Sequence, residues 1–416
     1  MDADYIWTPP QYDVSHSPLE TREVSLPAPA NSNGAEDFIR TIKWCPDGST
    51  AIAQSENRDF HFLNLQVYPP DMLQNCATGQ ENSYFTKKLP QPAAILEFAW
   101  YPQATVQNPA TFCFVASVRD TPVRLVDAND GRVSSKSIIL THYVARLYCG
   151  YDSAIEIFDV NRPGEGTRIL TSPSKKSRDG MKGIISALSF CPSASDFYAA
   201  GTLTPTPAPI ALYDAASDEP VMYLGLTDSE RKGNGGGVTQ LRFNPMKPHL
   251  LYGSFRRCGH IYAWDMRQAA GEPICKYRFV KSESGSKHKM TNQRLRFDVD
   301  IGGRWLSVGN QDGDISMFDL DVEGEPANSD GPQEILPTLV FHAHEDAIGS
   351  VSFHPLEPVL LSASGSRHFD LPATSIAQRS PELTDSDSGG EDAETKRRRV
   401  PCPMDASVKL WAFNSV

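Results

Sequence analysis

The chain has 416 residues, and a balance of 40% hydrophobic to 22% charged residues fits a folded, water-facing protein. It contains no apolar run of 18 residues to cross a membrane, and its opening, "MDADYIWTPPQYDVSHSP", has neither the basic nor the apolar region of a secretory signal. The net charge of −12 argues against coating nucleic acid non-specifically, which runs on phosphate neutralisation, but leaves room for a local basic face.

Residues 1–36 are rich in Pro, Ser and Asn, which predicts a flexible, extended segment, with closure of the last structural unit as one use for it. Beyond it, short alternating runs recur: "FHFLN" (60–64), "VRLVD" (123–127), "IEIFD" (155–159), "IALYD" (210–214), "IYAWD" (261–265), "ISMFD" (315–319) and "VKLWA" (408–412). Between them lies a second signature, an apolar strand ending in aromatic-x-Pro or a Gly-rich turn. It reads "IKWCPDG" (42–48), "LEFAWYP" (96–102), "ALSFCPS" (187–193), "LRFNP" (241–245), "LRFDVDIGG" (295–303) and "VSFHP" (351–355). Alternation with β-branched and aromatic residues, punctuated by turn formers, predicts strands. Four short strands per unit, seven times over, predict an all-β, seven-bladed WD40-type β-propeller across 37–416. The logic is burial: one four-stranded sheet cannot cover both its faces, but packed in a ring it can.

The third blade breaks the spacing. The run-ending aspartates at 127, 159, 214, 265 and 319 are separated by 32, 55, 51 and 54 residues. The first interval is about 20 residues short. It holds "DGRVSSKSIILTHYVARLYCGYDSAIEIFD" (130–159), which lacks an aromatic-x-Pro signature. The expected loss is the blade's innermost strand and the turn after it. Either "SIILTHYV" (137–144) slips into the vacancy, giving a thinner blade, or the stretch records a mis-called splice junction or variant transcript.

Loops are predicted at 280–293 and 319–334. A longer insertion, 366–404 in the last blade, is low in aromatics and high in charge, which predicts disorder. Within it, Ser380 precedes a proline, and Thr384 and Ser388 each have an acid three residues on, so all three are candidate phosphorylation sites. Lys396, Arg397, Arg398 and Arg399 form a candidate nuclear-import signal, with a solvated charge cluster as the alternative.

No catalytic constellation stands out, and no cofactor is expected. "GNGGGV" (233–238) leads into a strand, so it offers no helix N-terminus for a phosphate. "FHAHEDAIGS" (341–350) holds two histidines and two acids, but a histidine there is expected to hydrogen-bond inside its blade, and no metal site is predicted. The eight scattered cysteines read as reduced, buried hydrophobes. Basic residues do gather in loops: Lys175, Lys176, Arg178 and Lys182; Arg231 and Lys232; Arg256 and Arg257; Lys287, His288 and Lys289; Arg294 and Arg296. Most precede a first strand, on one rim of the ring. Arg256 and Arg257 lie instead in a turn between later strands. A positive rim suits RNA or an acidic partner, though loops are polar in any case.

The segment "MTNQRLRFDVDIGGRWLSVGNQDGDISMFD" (290–319) resembles the telomerase Cajal body protein family. So do "KWCPDGSTAIAQSENRDFHFLNL", "ARLYCGYDSAIEIFDVNRPG", "GIISALSFCPS", "FRRCGHIYAWDMRQ", "SASGSRHF" and "VKLW", which carry the likeness over residues 38–412. The Pro-rich, acidic-insert style looks fungal, and the family's long N-terminal extension is nearly absent here. The resemblance implies a non-enzymatic scaffold that binds small nuclear RNAs or telomerase RNA through a short box in a hairpin loop. It also implies ribonucleoprotein assembly, partner ribonucleoprotein proteins, a nuclear address in Cajal bodies, and a cytoplasmic folding stage on a chaperonin. A monomer without membrane contact is expected. Carried over by motif, Asn292, Gln293 and Arg294, with Arg256 and Arg257, are the candidate RNA contacts. Lys176 joins them as a rim cation. For Asn292 and Gln293, capping of the blade-to-blade loop stays open. The competing function is a protein-interaction propeller, such as a splicing-associated adaptor, with no direct RNA role.

Overall fold

The computed structural model describes residues 8–26, 37–65, 84–132, 146–160, 162, 164–174, 177, 179–193, 197–233, 236–268, 271–280, 291–321, 331–368 and 402–414. Strand β1 (Leu19–Ser25) comes first. The first sheet is β2 (Ile39–Trp44), β3 (Ala51–Ser55), β4 (Asp59–Leu63) and β5 (Phe85–Pro90). The second is β6 (Ile95–Trp100), β7 (Cys113–Val118) and β8 (Arg124–Asp127). The third is β9 (Arg146–Tyr151), β10 (Ala154–Asp159) and β11 (Thr167–Leu170). The fourth is β12 (Ile185–Phe190), β13 (Phe197–Thr202), β14 (Ile210–Asp214) and β15 (Glu219–Leu224). A short helix, α1 (Asp228–Gly233), leads to the fifth: β16 (Val238–Phe243), β17 (Leu250–Phe255), β18 (His260–Asp265) and β19 (Cys275–Arg278). The sixth holds β20 (Phe297–Val299), β21 (Trp305–Gly309) and β22 (Asp314–Asp319). Its chain then lends β23 (Gln333–Ile335) to the fifth sheet, beside β19, before returning as β24 (Leu339–His342). The seventh is β25 (Ile348–Phe353), β26 (Val359–Ser364) and β27 (Ser407–Ala412). Seven small sheets in a ring make a seven-bladed β-propeller, as the repeat predicts.

The aspartates that mark the repeat have a physical job. Third strands β8, β10, β14, β18 and β22 end on Asp127, Asp159, Asp214, Asp265 and Asp319. Four of them accept a backbone N–H two residues on, from Asn129 (2.7 Å), Ala216 (3.2 Å), Arg267 (3.0 Å) and Asp321 (2.9 Å). Each carboxylate thus shapes the turn that starts the outer strand.

Neighbouring blades bury their apolar faces against each other. Phe60 of the first blade meets Phe98 and Phe114 of the second edge to face, at 5.5 and 5.2 Å between ring centroids. The ring is closed by β1, which pairs antiparallel with β27 from Leu19 opposite Ala412 to Ser25 opposite Ser407. Closure of the last structural unit, one use expected for residues 1–36, is the role that Leu19–Ser25 plays. The strand covers the outer edge of the last blade, whose backbone groups would otherwise lie open.

The third blade has three strands among the described residues, ordered β11-β10-β9, and β9 is its inner edge. Among the described residues no further strand pairs with the channel side of β9. β9 leans on β12 of the fourth blade: a Cβ on Gly150 would come within 2.3 Å of the Ile185 carbonyl oxygen. Apolar side chains on the neighbouring blades are exposed here. Leu96 on β6 is 49% exposed, Phe190 on β12 is 48% exposed and Ile184 is 55% exposed. The channel and this gap run together into a cavity of about 2330 Å³. The segment "SIILTHYV" lies outside the described residues, as do the insertion's candidate phosphorylation sites Ser380, Thr384 and Ser388 and its import run Lys396–Arg399.

Candidate nucleic-acid interface

Alternate strands of a blade run in opposite directions. The loops leading into first strands therefore share one end of the ring with the turns between second and third strands. That geometry unites residues which sequence position puts in different kinds of loop. Arg256 and Arg257 sit in the β17–β18 turn, and Asn292, Gln293 and Arg294 lead into β20. The Arg257 Nε donates to Asn292 Oδ1 at 2.5 Å.

Residues 291–293 are strapped across three blades. The Thr291 amide donates to Gln311 Oε1 (3.1 Å), in the turn between β21 and β22. The Gln293 amide donates to Thr291 Oγ1 (3.1 Å), and its Nε2 donates to the Gly365 carbonyl (2.8 Å) in the seventh blade. Gln293 thus spends its side chain on the scaffold. Asn292 and the two arginines of the β17–β18 turn are exposed. Arg257 holds a left-handed backbone, φ 58°, a conformation that bulky residues pay for.

Behind this edge lies a cluster of guanidinium groups. Arg294 is half-buried, and burial together with Arg296, Arg40 and Arg256 pushes its pKa down against the pull of Glu97. It has no carboxylate partner among the described residues. Arg40 is likewise pushed down by burial and by Arg296, and it pairs with Glu56 at 3.4 Å. Arg296 reaches Glu97 on β6, which also takes Lys43 Nζ of β2 at 2.7 Å. Burial opposes ionisation of Glu97, but Arg296 and Lys43 outweigh it and hold the carboxyl well below its usual range. Arg40, Lys43, Arg256, Arg294 and Arg296 thus gather about Glu56 and Glu97, with Arg367 also on Glu56, on a chain of net charge −12. The unpaired guanidiniums can fork onto phosphate oxygens or stack on an unpaired base.

Arg40, Lys43 and Glu97 escaped the sequence reading. Their signal was a polar residue inside an apolar first strand, "IRTIKW" and "ILEFAW", where the side chain has only the channel to face. Arg231 and Lys232, expected in a loop, lie on α1, where Arg231 pairs with Asp228 one turn earlier. Lys175, Lys176, Arg178, Lys287, His288 and Lys289 are outside the described residues.

The histidines of "FHAHEDAIGS" serve the blade. His344 is buried and bonds Asp405 Oδ2 (3.0 Å) and Ser407 Oγ (3.1 Å) through Nδ1, and Ser362 Oγ (2.7 Å) through Nε2. Trp411 Nε1 donates to the same Ser362 Oγ at 2.8 Å. His342 pairs with Asp314 at 3.0 Å. The cysteines among the described residues are free thiols, and burial pushes Cys258 up to about 12 and Cys113 to about 11, which leaves them poor nucleophiles. No helix among the described residues is long and apolar enough to cross a membrane.

Comparison with known proteins agrees with this architecture. The model of the WD domain, G-beta repeat, matches residues 336–369. The chain is 29% identical over 371 residues to a rat protein named telomerase Cajal body protein 1, covering 85% of this chain and 63% of the relative. It is 28% identical over 403 residues to the human protein of that name, covering 91% and 64%. It is 24% identical over 410 residues to the Drosophila melanogaster homolog, again covering 91% and 64%. The chain thus spans slightly less than two thirds of the length of these curated relatives.

Proposed function

We propose, for this homologue of the telomerase Cajal body proteins, that the propeller is a non-catalytic scaffold whose arginine-lined rim binds a small nuclear RNA or telomerase RNA. Residues 37–416 act as one propeller domain, with 366–404 as an insertion in its last blade. The observation that carries this reading is the convergence of Arg256, Arg257, Asn292 and Arg294 at the channel mouth, with Arg256 and Arg294 lacking carboxylate partners among the described residues. Single-stranded loops of RNA offer phosphates and unstacked bases together, which matches guanidinium forks and an exposed amide. Lys43 and Arg296 are spent on Glu97, so the outer arginines are left for a ligand.

The relatives' name places them in Cajal bodies with telomerase, and the same setting is proposed here. The chain would fold in the cytoplasm on a chaperonin, enter the nucleus through Lys396–Arg399, and join ribonucleoproteins as a monomer. Crosslinking in cells followed by RNA sequencing tests this. Enrichment of small nuclear or telomerase RNAs is expected. No enrichment from nuclear protein would leave a protein-interaction adaptor as the function.

A further inference from the structure

A second polar group lies in the first blade, separate from the arginine rim. Asp37 comes from the loop before β2, and Asp59 and His61 come from β4. Positions two apart on a strand face the same side, so the Asp59 and His61 side chains rise together. The Asp37 loop meets them there. One carboxylate oxygen from each aspartate and one imidazole nitrogen lie within 4.8 Å of one another.

The group is poorly satisfied for its depth. His61 is 3% exposed, and its Nε2 is buried without a hydrogen-bond partner. Asp59 is 5% exposed, and its ion-pair partner is Lys88 at 2.7 Å, whose own side chain is 56% exposed. A buried imidazole nitrogen and a buried carboxylate whose ion-pair partner among the described residues is an exposed ammonium are costly to leave so. Other parts of the cluster are fixed. The Phe38 and Asn57 amides donate to Asp37 Oδ1 at 3.0 and 2.9 Å, and the His61 ring packs edge-on against Phe85 at 5.6 Å. Backbone donors on the carboxylate and a packed ring are the supports that orient metal ligands.

We propose that Asp37, Asp59 and His61 form a divalent-cation site of the zinc type. One imidazole and two carboxylates make a mixed nitrogen and oxygen donor set, which suits zinc better than the all-oxygen shells of calcium or magnesium. Tetrahedral bonds of about 2.0–2.2 Å need donors roughly 3.4 Å apart, so no pair of donors has to close by more than about 1.4 Å. Lys88 swings to solvent and leaves the fourth position to water. The bound ion ties the loop that opens the ring to the third strand of the same blade.

The test uses the full chain, stripped with a chelator and titrated with Zn2+ against a chromophoric competitor, with Co2+ as a spectroscopic probe. One Zn2+ per chain is expected, with Co2+ d–d bands that vanish in His61→Ala. Asp37→Asn, at the half-exposed loop, weakens Zn2+ binding by about tenfold or more. Lys88→Ala removes the competing ammonium and tightens binding. That gain in affinity cannot come from a misfolded variant. A folded wild-type chain that takes up no stoichiometric Zn2+, or one whose affinity is the same in Asp37→Asn, His61→Ala and Lys88→Ala, overturns the site.

Discussion

Arg296, at the start of the sixth blade, donates through Nη2 to Glu97 Oε2 on the second blade, so one ion pair spans the channel of the ring. Lys43 of the first blade grips the other carboxylate oxygen at 2.7 Å and also donates to the Phe98 carbonyl at 2.6 Å. Glu97→Gln should therefore loosen three blades at once. The carboxylate side chain is 41% exposed to the channel, so solvent screens the pair and the loss at pH 7 is expected near 1 kcal/mol. The sign with pH follows from the lowered pKa of Glu97. The stabilisation is complete above the ordinary glutamate value of about 4.3 and fades as pH falls below it. Urea midpoints of wild type and Glu97→Gln should differ at pH 7 and converge toward pH 3. A difference that stays constant across that range would remove the ion pair from the account.

The rim arginines make a separate prediction. Arg256 is exposed and Arg294 half-buried, and neither is committed to a carboxylate among the described residues. The double variant Arg256→Ala, Arg294→Ala should bind a hairpin-loop RNA at least about tenfold more weakly. Two lost phosphate contacts should also flatten the plot of log affinity against log salt by about 1.4 units. Gel-shift titrations at several salt concentrations read both quantities. Unchanged affinity in a folded double variant would take these two residues out of the interface.

In the last blade, Ser362 is fully buried and bonds both His344 Nε2 and Trp411 Nε1. Ser362→Ala orphans two buried groups in one step. The expected cost is about 2–3 kcal/mol, read as a drop in the thermal midpoint. Asp405 anchors the other end. Burial works to raise its pKa, yet bonds to His344 and Ser407 hold it low. This blade's stability should therefore fall on acidification below the ordinary aspartate range. A loss under about 0.5 kcal/mol in Ser362→Ala would show that water replaces the hydroxyl.

What could be read in advance follows from what sequence encodes locally. The third-strand aspartates set turns with their own side chains, so Asp127, Asp214, Asp265 and Asp319 mark the ends of third strands in the sequence and in the structure alike. His344 was legible for the same reason, since its role belongs to one blade. The arginine cluster was only half legible. Arg40 and Arg294 are over 250 residues apart, and only closure of the ring makes them neighbours. Asp37, Asp59 and His61 were missed because no spacing along one strand brings the loop aspartate to the other two. The fate of β1 was legible as one option: "LETREVS" alternates too weakly to announce a strand until β27 offers it an edge.

The third blade carries the last prediction. Among the described residues β9 faces the channel with no inner neighbour in its sheet, and Leu96, Ile184 and Phe190 stand exposed around it. Supplying an inner strand would cover these side chains at roughly 1 kcal/mol each for half-burial. It would also pair backbone groups worth about 1–3 kcal/mol apiece when buried without partners. Thirteen residues, 133–145, join the described parts of the second and third blades. At about 3.3 Å per residue they reach some 43 Å. An outer strand for the second blade and an inner strand for the third, at the usual length of about 17–20 Å each, would leave little of that reach to cross between them. The expected transcript therefore carries about 20 additional codons in the stretch encoding residues 130–150. The longer product should unfold at a higher urea concentration than the present chain. A complementary DNA read that matches the present sequence in frame, with equal midpoints for the two forms, would mean that the shortened blade is complete as it stands.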